Sequence, residues 1–220
     1  FIFDHEFSGG VRLSTDGWSG FLEYGRRKND VITTIYPFDI GALPSRPAPK
    51  TSYQIGYFST APYVFGKQNI FYQAKLSIGQ RHIIGGKSNK NGVEVSAVYQ
   101  GGISAGILRP YYLEIDASGS GEEGVYEKYS SSDHDTFLNP GLIVGGAGLK
   151  KGWNELSVVP GLQARLGMRF DWGASNSMIS ALEVSINGEF YTKKIPIMIL
   201  SKNQQFFFNA SVGLMFGKRW

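Results

Sequence analysis

This sequence predicts an all-β fold, closed into an antiparallel up-and-down transmembrane β-barrel of eight strands. Three observations carry the prediction. Segment after segment alternates apolar and polar residues with a period of two. The connections between those segments alternate in length. No uninterrupted apolar run approaches the ~20 residues of a membrane-spanning helix; the longest, Ile195 to Leu200, is short and contains Pro196. A membrane chain without such a helix must close its sheet, because lipid offers no partner to an open backbone edge.

The strands are read in chain order. Phe7 to Thr15 and Trp18 to Arg27 form a hairpin around Asp16-Gly17, a pair that favours a type I′ turn. Val31 to Ile40 is a third strand whose facing is ambiguous. In Ile70 to Ile84, Ile70, Tyr72, Leu76 and Ile78 oppose Gln73, Lys75, Ser77 and Arg81. In Val93 to Leu113, Val93, Val95, Tyr99, Ile103 and Ile107 oppose Glu94, Ser96, Gln100 and Ser104. Leu156 to Trp172 sets Leu162, Leu166, Met168 and Phe170 against Gln163, Arg165 and Arg169, and Ala181 to Tyr191 sets Leu182, Val184 and Ile186 against Glu183, Asn187 and Glu189. In Phe206 to Trp220 the even positions are apolar except Lys218, and the odd positions, from Phe207 through Asn209 and Ser211 to Arg219, are mostly small or polar.

Turns at 28–30, 86–92 and 173–178 are short, and connections at 41–69, 114–155 and 192–205 are longer; only the first hairpin departs from the alternation. Short periplasmic turns and long external loops are the habit of outer-membrane barrels. With both termini periplasmic, residues 1–220 form one barrel domain whose long external loops are 41–69 and 114–155. The second of these has room for another hairpin, so ten strands remain open.

Composition narrows the function classes. The chain has no cysteine, which excludes disulfides and thiolate metal sites. Charged residues are 18%, below the roughly 25% of soluble domains. A net charge of +4 without a basic, aromatic-interleaved stripe does not suggest nucleic acid, and no such partner is expected. The opening Phe-Ile-Phe-Asp reads as the mature end of an exported protein whose signal peptide is removed.

Alternation does not say which face points inward, and a soluble ligand-binding barrel would be apolar inside. The polar face decides. It mixes Gly and Ser with five cations, Arg12, Lys75, Arg81, Arg165 and Arg169, and five carboxylates, Glu6, Glu23, Glu94, Glu183 and Glu189. Balanced charge and small residues suit a narrow, crowded interior. Buried charges must pair, so the lumen is expected to be plugged by this network. The apolar face carries Trp18, Tyr24, Tyr99, Trp172 and Trp220 near strand ends, as girdles at two water interfaces require.

On these residues the chain resembles the small OmpA- and OmpX-like outer-membrane barrels. Phe3 to Trp18, Phe71 to Arg81, Gly106 to Tyr112 and Pro160 to Gly167 look like barrel proteins of Bacteroidota. The closing strand, with Phe216 and the final Trp220, is similar to their C-terminal assembly signal. The resemblance implies location in the bacterial outer membrane, contact with its lipid and lipopolysaccharide, and recruitment as an accessory subunit of an envelope complex for protein secretion or outer-membrane protein assembly.

Chemistry is sparse. His5, His82 and His134 are far apart and show no metal-ligand spacing, so no metal or cofactor is expected. Asp133-His134-Asp135 lacks a full oxygen cage. Arg81 to Ser88 fails as a phosphate loop because Arg81 stands where glycine is required. Gly145-Gly146 and Gly148 have no strand-to-helix context for a dinucleotide. His134 beside Ser130, Ser131 and Ser132 is the one constellation for a lipid-modifying enzyme; a small porin is the other alternative. No catalytic residue is assigned. The loops carry more: Tyr53, Tyr57, Phe58, Tyr63 and Phe65 among prolines, and Phe137, Leu138 and Leu142 in the second loop, are expected partner contacts. Self-packing of the same loops over the barrel is the competing expectation. Lys150-Lys151 and Lys193-Lys194 flank the predicted outer rim, where anionic lipid phosphates would lie.

Overall fold

The computed structural model describes residues 3–43, 50–51, 54–55, 58–59, 63–87, 92–116, 124–130, 138–148, 151–173, 175, 177–199 and 202–220. Eight strands close a barrel: β1 (His5–Ser14), β2 (Gly17–Arg27), β3 (Ile32–Leu43), β4 (Asn69–Gly85), β5 (Glu94–Pro110), β6 (Ser157–Asp171), β7 (Met178–Ile195) and β8 (Gln204–Arg219). Each pairs antiparallel with its neighbours in sequence, and β1 closes on β8. His5 and Trp220 exchange backbone hydrogen bonds of 3.0 and 2.9 Å at that seam.

The register fixes the shape. Pairing runs from Ser14 through Ser211, Ser185, Gly167, Val98, Arg81 and Thr33 to Arg27, whose N–H reaches Asp4. One circuit therefore returns to the same stretch of chain ten residues lower, at 4 instead of 14. With a rise of about 3.3 Å per residue and a strand spacing of about 4.7 Å, eight strands staggered this way tilt by about 40° around a tube of roughly 8 Å radius. A tube that narrow is filled by its own side chains. Glycine on the inner face makes room: a Cβ on Gly25 would stand 2.5 Å from Glu6 Cγ, and one on Gly10 would stand 2.0 Å from the Leu214 carbonyl.

Along most of the wall the polarity is inverted relative to a soluble protein. Leu13, Ile40, Leu76, Ile103, Leu162 and Phe216 are exposed, whereas Arg12, Glu23, Arg165, Arg169 and Glu183 are buried. The ambiguous third strand is resolved by the same rule: Thr33, Ile35 and Asp39 point in, and Tyr36, Phe38 and Ile40 point out. Inward apolar side chains reappear towards the loop end. Leu43, Phe71, Leu108, Val159, Tyr191, Ile195 and Phe207, from six strands, fill the mouth. Phe71, Tyr191 and Phe207 form an aromatic triad with ring centroids 5.4–5.8 Å apart.

Above this plug the chain builds a cap. Tyr112–Ile115 pairs with Val125–Lys128 on one side and Ile143–Gly146 on the other, in a sheet separate from the barrel. A strap also crosses the mouth. Gln68 N–H donates to Ile197 O (2.9 Å) and Ile199 N–H to Gly66 O (2.8 Å), which ties the end of β7 to the approach to β4. These two strands are not neighbours in the barrel; β5 and β6 separate them.

Three details differ from the sequence expectation. The first hairpin turns on Thr15-Asp16, with Ser14 and Gly17 already paired, and no non-glycine residue among those described has positive φ, so the turn is not type I′. Gly17 is a strand residue selected by close approach: a Cβ there would meet the Ala42 carbonyl at 2.4 Å. The possible ninth and tenth strands exist as segments but join the cap sheet and not the barrel, so the barrel has eight. The strand expected to run from Val93 to Leu113 ends at Pro110, which cannot donate to the ladder, and Tyr112–Ile115 belongs to the cap.

Candidate functional site: a closed lumen and its cap

The barrel strands carry charged side chains inward at alternating positions, and the stagger brings opposite charges from distant strands to one level. Three groups follow one another along the axis. At the terminus end Arg81 grips Glu6 with two hydrogen bonds, 2.5 and 2.9 Å. Arg219 reaches Glu6 (3.3 Å) and Asp171 (2.6 Å), and Lys87 lies 3.6 Å from Asp171. In the middle Arg169 holds Glu23 bidentately at 2.7 and 2.9 Å and Glu183 at 2.8 Å. Arg12 bridges Glu183 (3.2 Å) to Asp39, and Arg165 shares Asp39 at 3.3 Å. Arg12 also lies 4.2 Å over the Phe21 ring. Towards the loop end Lys75 pairs with Glu189, which accepts from Gln73 (2.5 Å) and from the Tyr191 hydroxyl (2.8 Å).

Nine of the ten charged residues named from the sequence fall in these groups. Glu94 is half-buried and lines a cavity of about 290 Å³ at the terminus end, together with Arg27, Lys87 and Arg219; the Arg81–Glu6 pair lines the same cavity. The charge list read from the sequence left out Asp39, Asp171, Lys87 and Arg219. Asp39 was hidden by the mixed facing of its strand, although its parity with Thr33 and Ile35 was a usable signal. Alternation already set Asp171 and Arg219 on the polar face, and Lys87 lies just past the end of β4, in a turn where alternation stops. The additions are two cations and two carboxylates, so the balance stays even.

The expected partner-contact residues divide. Tyr63 is completely buried and, with Tyr111, Leu113, Ile115 and Ile143, forms the core of the cap, against which Phe65 and Leu142 also pack. For Tyr63 the expectation of a partner surface is corrected: its ring is spent on the cap's own core, because a small sheet standing in water must cover one face; Phe65 and Leu142 are half-buried against that core. Leu138 is half-buried. Tyr53, Tyr57 and Phe137 lie outside the described residues, as do the His134 constellation from Ser131 onward, Asp133, Asp135 and Lys150; no side-chain placement is described for Phe58. Lys193 and Lys194 are exposed near the end of β7, and Lys151 is exposed beside the cap. Among the described residues no three His, Asp or Glu side chains converge as a metal site would require.

On the outer face the girdle residues form contacts of their own. Trp220, His5, Tyr24 and Tyr36 stack in succession across β8, β1, β2 and β3, with ring centroids 6.0–6.2 Å apart. Phe216, on the same strand as Trp220, projects outward. At the loop end, on the outside of β4 and β5, Trp153 stacks on Tyr72 at 6.1 Å, and the Arg109 guanidinium lies 4.7 Å over the indole. Nearby, Tyr112 Oη donates to Glu155 (2.6 Å), and Lys128 pairs with the same carboxylate. Lys128 and Tyr112 hold the Glu155 carboxyl below the usual carboxylate range, and the bond to Glu155 pushes the Tyr112 phenol up.

An apolar belt flanked by aromatics, around a charged and paired interior, is the arrangement of a barrel solvated by lipid. The chain has the architecture of a closed, eight-stranded transmembrane β-barrel. No protein-family model matches it, and no curated protein does. Solved structures to which it is similar include three barrels. The attachment invasion locus protein Ail of Yersinia pestis, solved with the heparin analogue sucrose octasulfate, covers 100% of both chains at 12% identity and a TM-score of 0.47. Neisserial surface protein A covers 98% of this chain and 92% of its own, at 10% identity and 0.40. The N-terminal β-barrel domain of Pseudomonas aeruginosa OprF covers 97% and 96%, at 9% and 0.41.

Proposed function

We propose that this protein is an integral barrel of the bacterial outer membrane that acts as a scaffold, an accessory subunit presenting its capped end to another outer-membrane or surface protein. The observation that carries the reading is the closure of the lumen. Paired charges fill the tube, an apolar plug fills its mouth, and a strap and a small sheet cover the plug. Such a tube is poorly suited to conduct ions, which disfavours the porin alternative. The lumen offers no route for a substrate to its buried polar groups, which disfavours catalysis there. What remains available is the outside: a lipid-facing wall and the loop end, reading 41–69 and 114–155 as external. Recruitment to a secretion or assembly machine follows from the resemblance to Bacteroidota barrels.

Affinity capture of the full chain from membranes in mild detergent, with chemical cross-linking, tests the subunit reading. Co-purification of one defined membrane partner at fixed stoichiometry is expected. Recovery of the chain alone, cross-linked to nothing, would count against it. Planar-bilayer recording addresses the porin alternative: conductance is expected at background, and steady open-channel currents would overturn the closed-lumen reading.

A further inference from the structure

Outside the lumen, beside the cap, the described surface holds a cleft whose lining has a chemistry of its own. It is an open cavity of about 460 Å³ beside the cap, lined by Tyr112, Tyr126, Lys151, Trp153, Asn154 and Glu155. Its floor is set by a backbone device. Gly152 adopts φ of 90°, a conformation that L side chains rarely take, and a Cβ there would meet the Pro110 carbonyl at 2.7 Å. That turn seats the short 3-10 helix Trp153–Glu155 against the end of β5. Trp153 rests on Tyr72 and Arg109 and leaves half its surface exposed to the cleft side. Tyr126 supplies a second aromatic ring, with Lys151 Nζ 5.5 Å from its centroid.

The combination is selective. Flat aromatic surfaces suit a ligand with an apolar C–H face, while Asn154, Glu155 and Lys151 suit one whose rim carries hydroxyls. An acyl chain would use the rings and leave the polar groups without partners; a bare anion would use Lys151 and leave the rings idle. The charge of Glu155 is matched by Lys128, and Lys151 is the further cation that lines the cleft. Its height also matters. On β5 the outward series Tyr99, Ile103, Ile107 leads to Arg109, so the cleft stands just beyond the apolar belt, at the level of headgroups.

We infer that this cleft binds a carbohydrate, a pyranose ring stacked on Trp153 or Tyr126 and carrying an anionic substituent that meets Lys151. The same chemistry can come from the sugar headgroup of an outer-leaflet glycolipid or from a soluble oligosaccharide. Only the first source rests on the membrane reading proposed above.

The test uses the full chain, purified in micelles, with two probes: phosphorylated core oligosaccharide released from rough lipopolysaccharide, and intact rough lipopolysaccharide in lipid nanodiscs. Binding is read by calorimetry. Trp153→Ala is expected to weaken binding of either probe at least tenfold. Lys151→Glu is expected to weaken it several-fold. Trp172→Ala, at the other end of the barrel, leaves binding unchanged, and heat-modifiable gel migration checks the fold of each variant. Binding of the free oligosaccharide, or binding only of the lipid-borne form, each supports the site and identifies its source. No binding of either probe, or binding indifferent to both cleft variants, overturns it. Failure to insert into vesicles with saccharide binding intact would remove the membrane reading and leave the site standing.

Discussion

The wall of the barrel and the cap above it obey opposite rules, within one continuous chain. Along the wall Leu162 is 63% exposed and Arg169 is buried; in the cap Tyr63 and Ile143 are buried and charged Lys128 is exposed. The crossover falls on single strands. On β5 the inward series passes from Ser96 and Gln100 through Ser104 to Leu108, and on β8 from Ser211 and Asn209 to Phe207. Nothing about backbone geometry changes there. The solvent outside changes: next to acyl chains the wall is apolar without cost, and the interior must satisfy polar groups internally; next to water the hydrophobic effect again drives apolar groups inward. Inward apolar side chains also occur lower in the tube, where Phe21, Ile179, Ala181 and Met215 form a second cluster, so it is the loss of charged partners beside Leu43, Phe71 and Leu108, and not apolarity alone, that sets the mouth apart.

The largest effect is expected where the wall rule is most demanding. Arg169→Met removes the cation shared by Glu23 and Glu183 and leaves both carboxylates buried. Breaking a buried pair on one side costs about 3–5 kcal/mol. Urea unfolding of the chain in lipid vesicles measures it, and a loss under about 1 kcal/mol would mean the network is decoration. The combined change Arg169→Met, Glu23→Gln and Glu183→Gln is expected to recover much of that loss, since no charge is then stranded. Phe71→Ala, at the centre of the aromatic triad, tests the opposite rule. It leaves a cavity in a packed apolar plug, expected to cost about 3–5 kcal/mol. Planar-bilayer recording adds a second readout: brief openings above background are expected if the plug is what seals the mouth.

The wall was largely legible in the sequence because lipid punishes every departure from alternation, so each residue repeats the same information. Glu6, Arg12, Glu23, Arg165, Arg169, Glu183 and Glu189 could be placed by parity alone. Legibility faded where that pressure fades. Phe207 shares the polar parity of its strand and so read as an exception; it belongs to the plug, beyond the level at which lipid sets the rule. Tyr63, Phe65 and Leu142 read as sticky surface because an apolar residue in a loop does not say whether its partner is foreign or its own. The cleft beside Trp153 was invisible, since Tyr72 and Arg109 on the wall meet Trp153 only through the turn at Gly152. The hairpin at Asp16-Gly17 misled for a related reason: a glycine chosen for tight packing looks the same as one chosen for its backbone angle.

A paired substitution sharpens the comparison itself. Leu162 on the wall and Val125 in the cap are exposed to nearly the same degree, 63% and 67%. If lipid surrounds the first and water the second, arginine is expected to cost about 2–4 kcal/mol at Leu162 and within about 0.5 kcal/mol at Val125. Equal small costs at both positions, measured by unfolding in vesicles, would place the wall in water and end the membrane reading. An effect smaller than that at Leu162 is expected at the seam between the two regions. Gly152→Ala puts a side chain into a left-handed backbone position against the Pro110 carbonyl, a strain of about 1–2 kcal/mol. The cap can relieve it by moving the 3-10 helix away from β5, which would pull Trp153 off Tyr72 and Arg109. In a background where Trp18, Trp172 and Trp220 are phenylalanine, the fluorescence of Trp153 is expected to shift to longer wavelength and become easier to quench with iodide. An unchanged spectrum would mean that the stack on Tyr72 and Arg109, and not the turn, holds the indole in place.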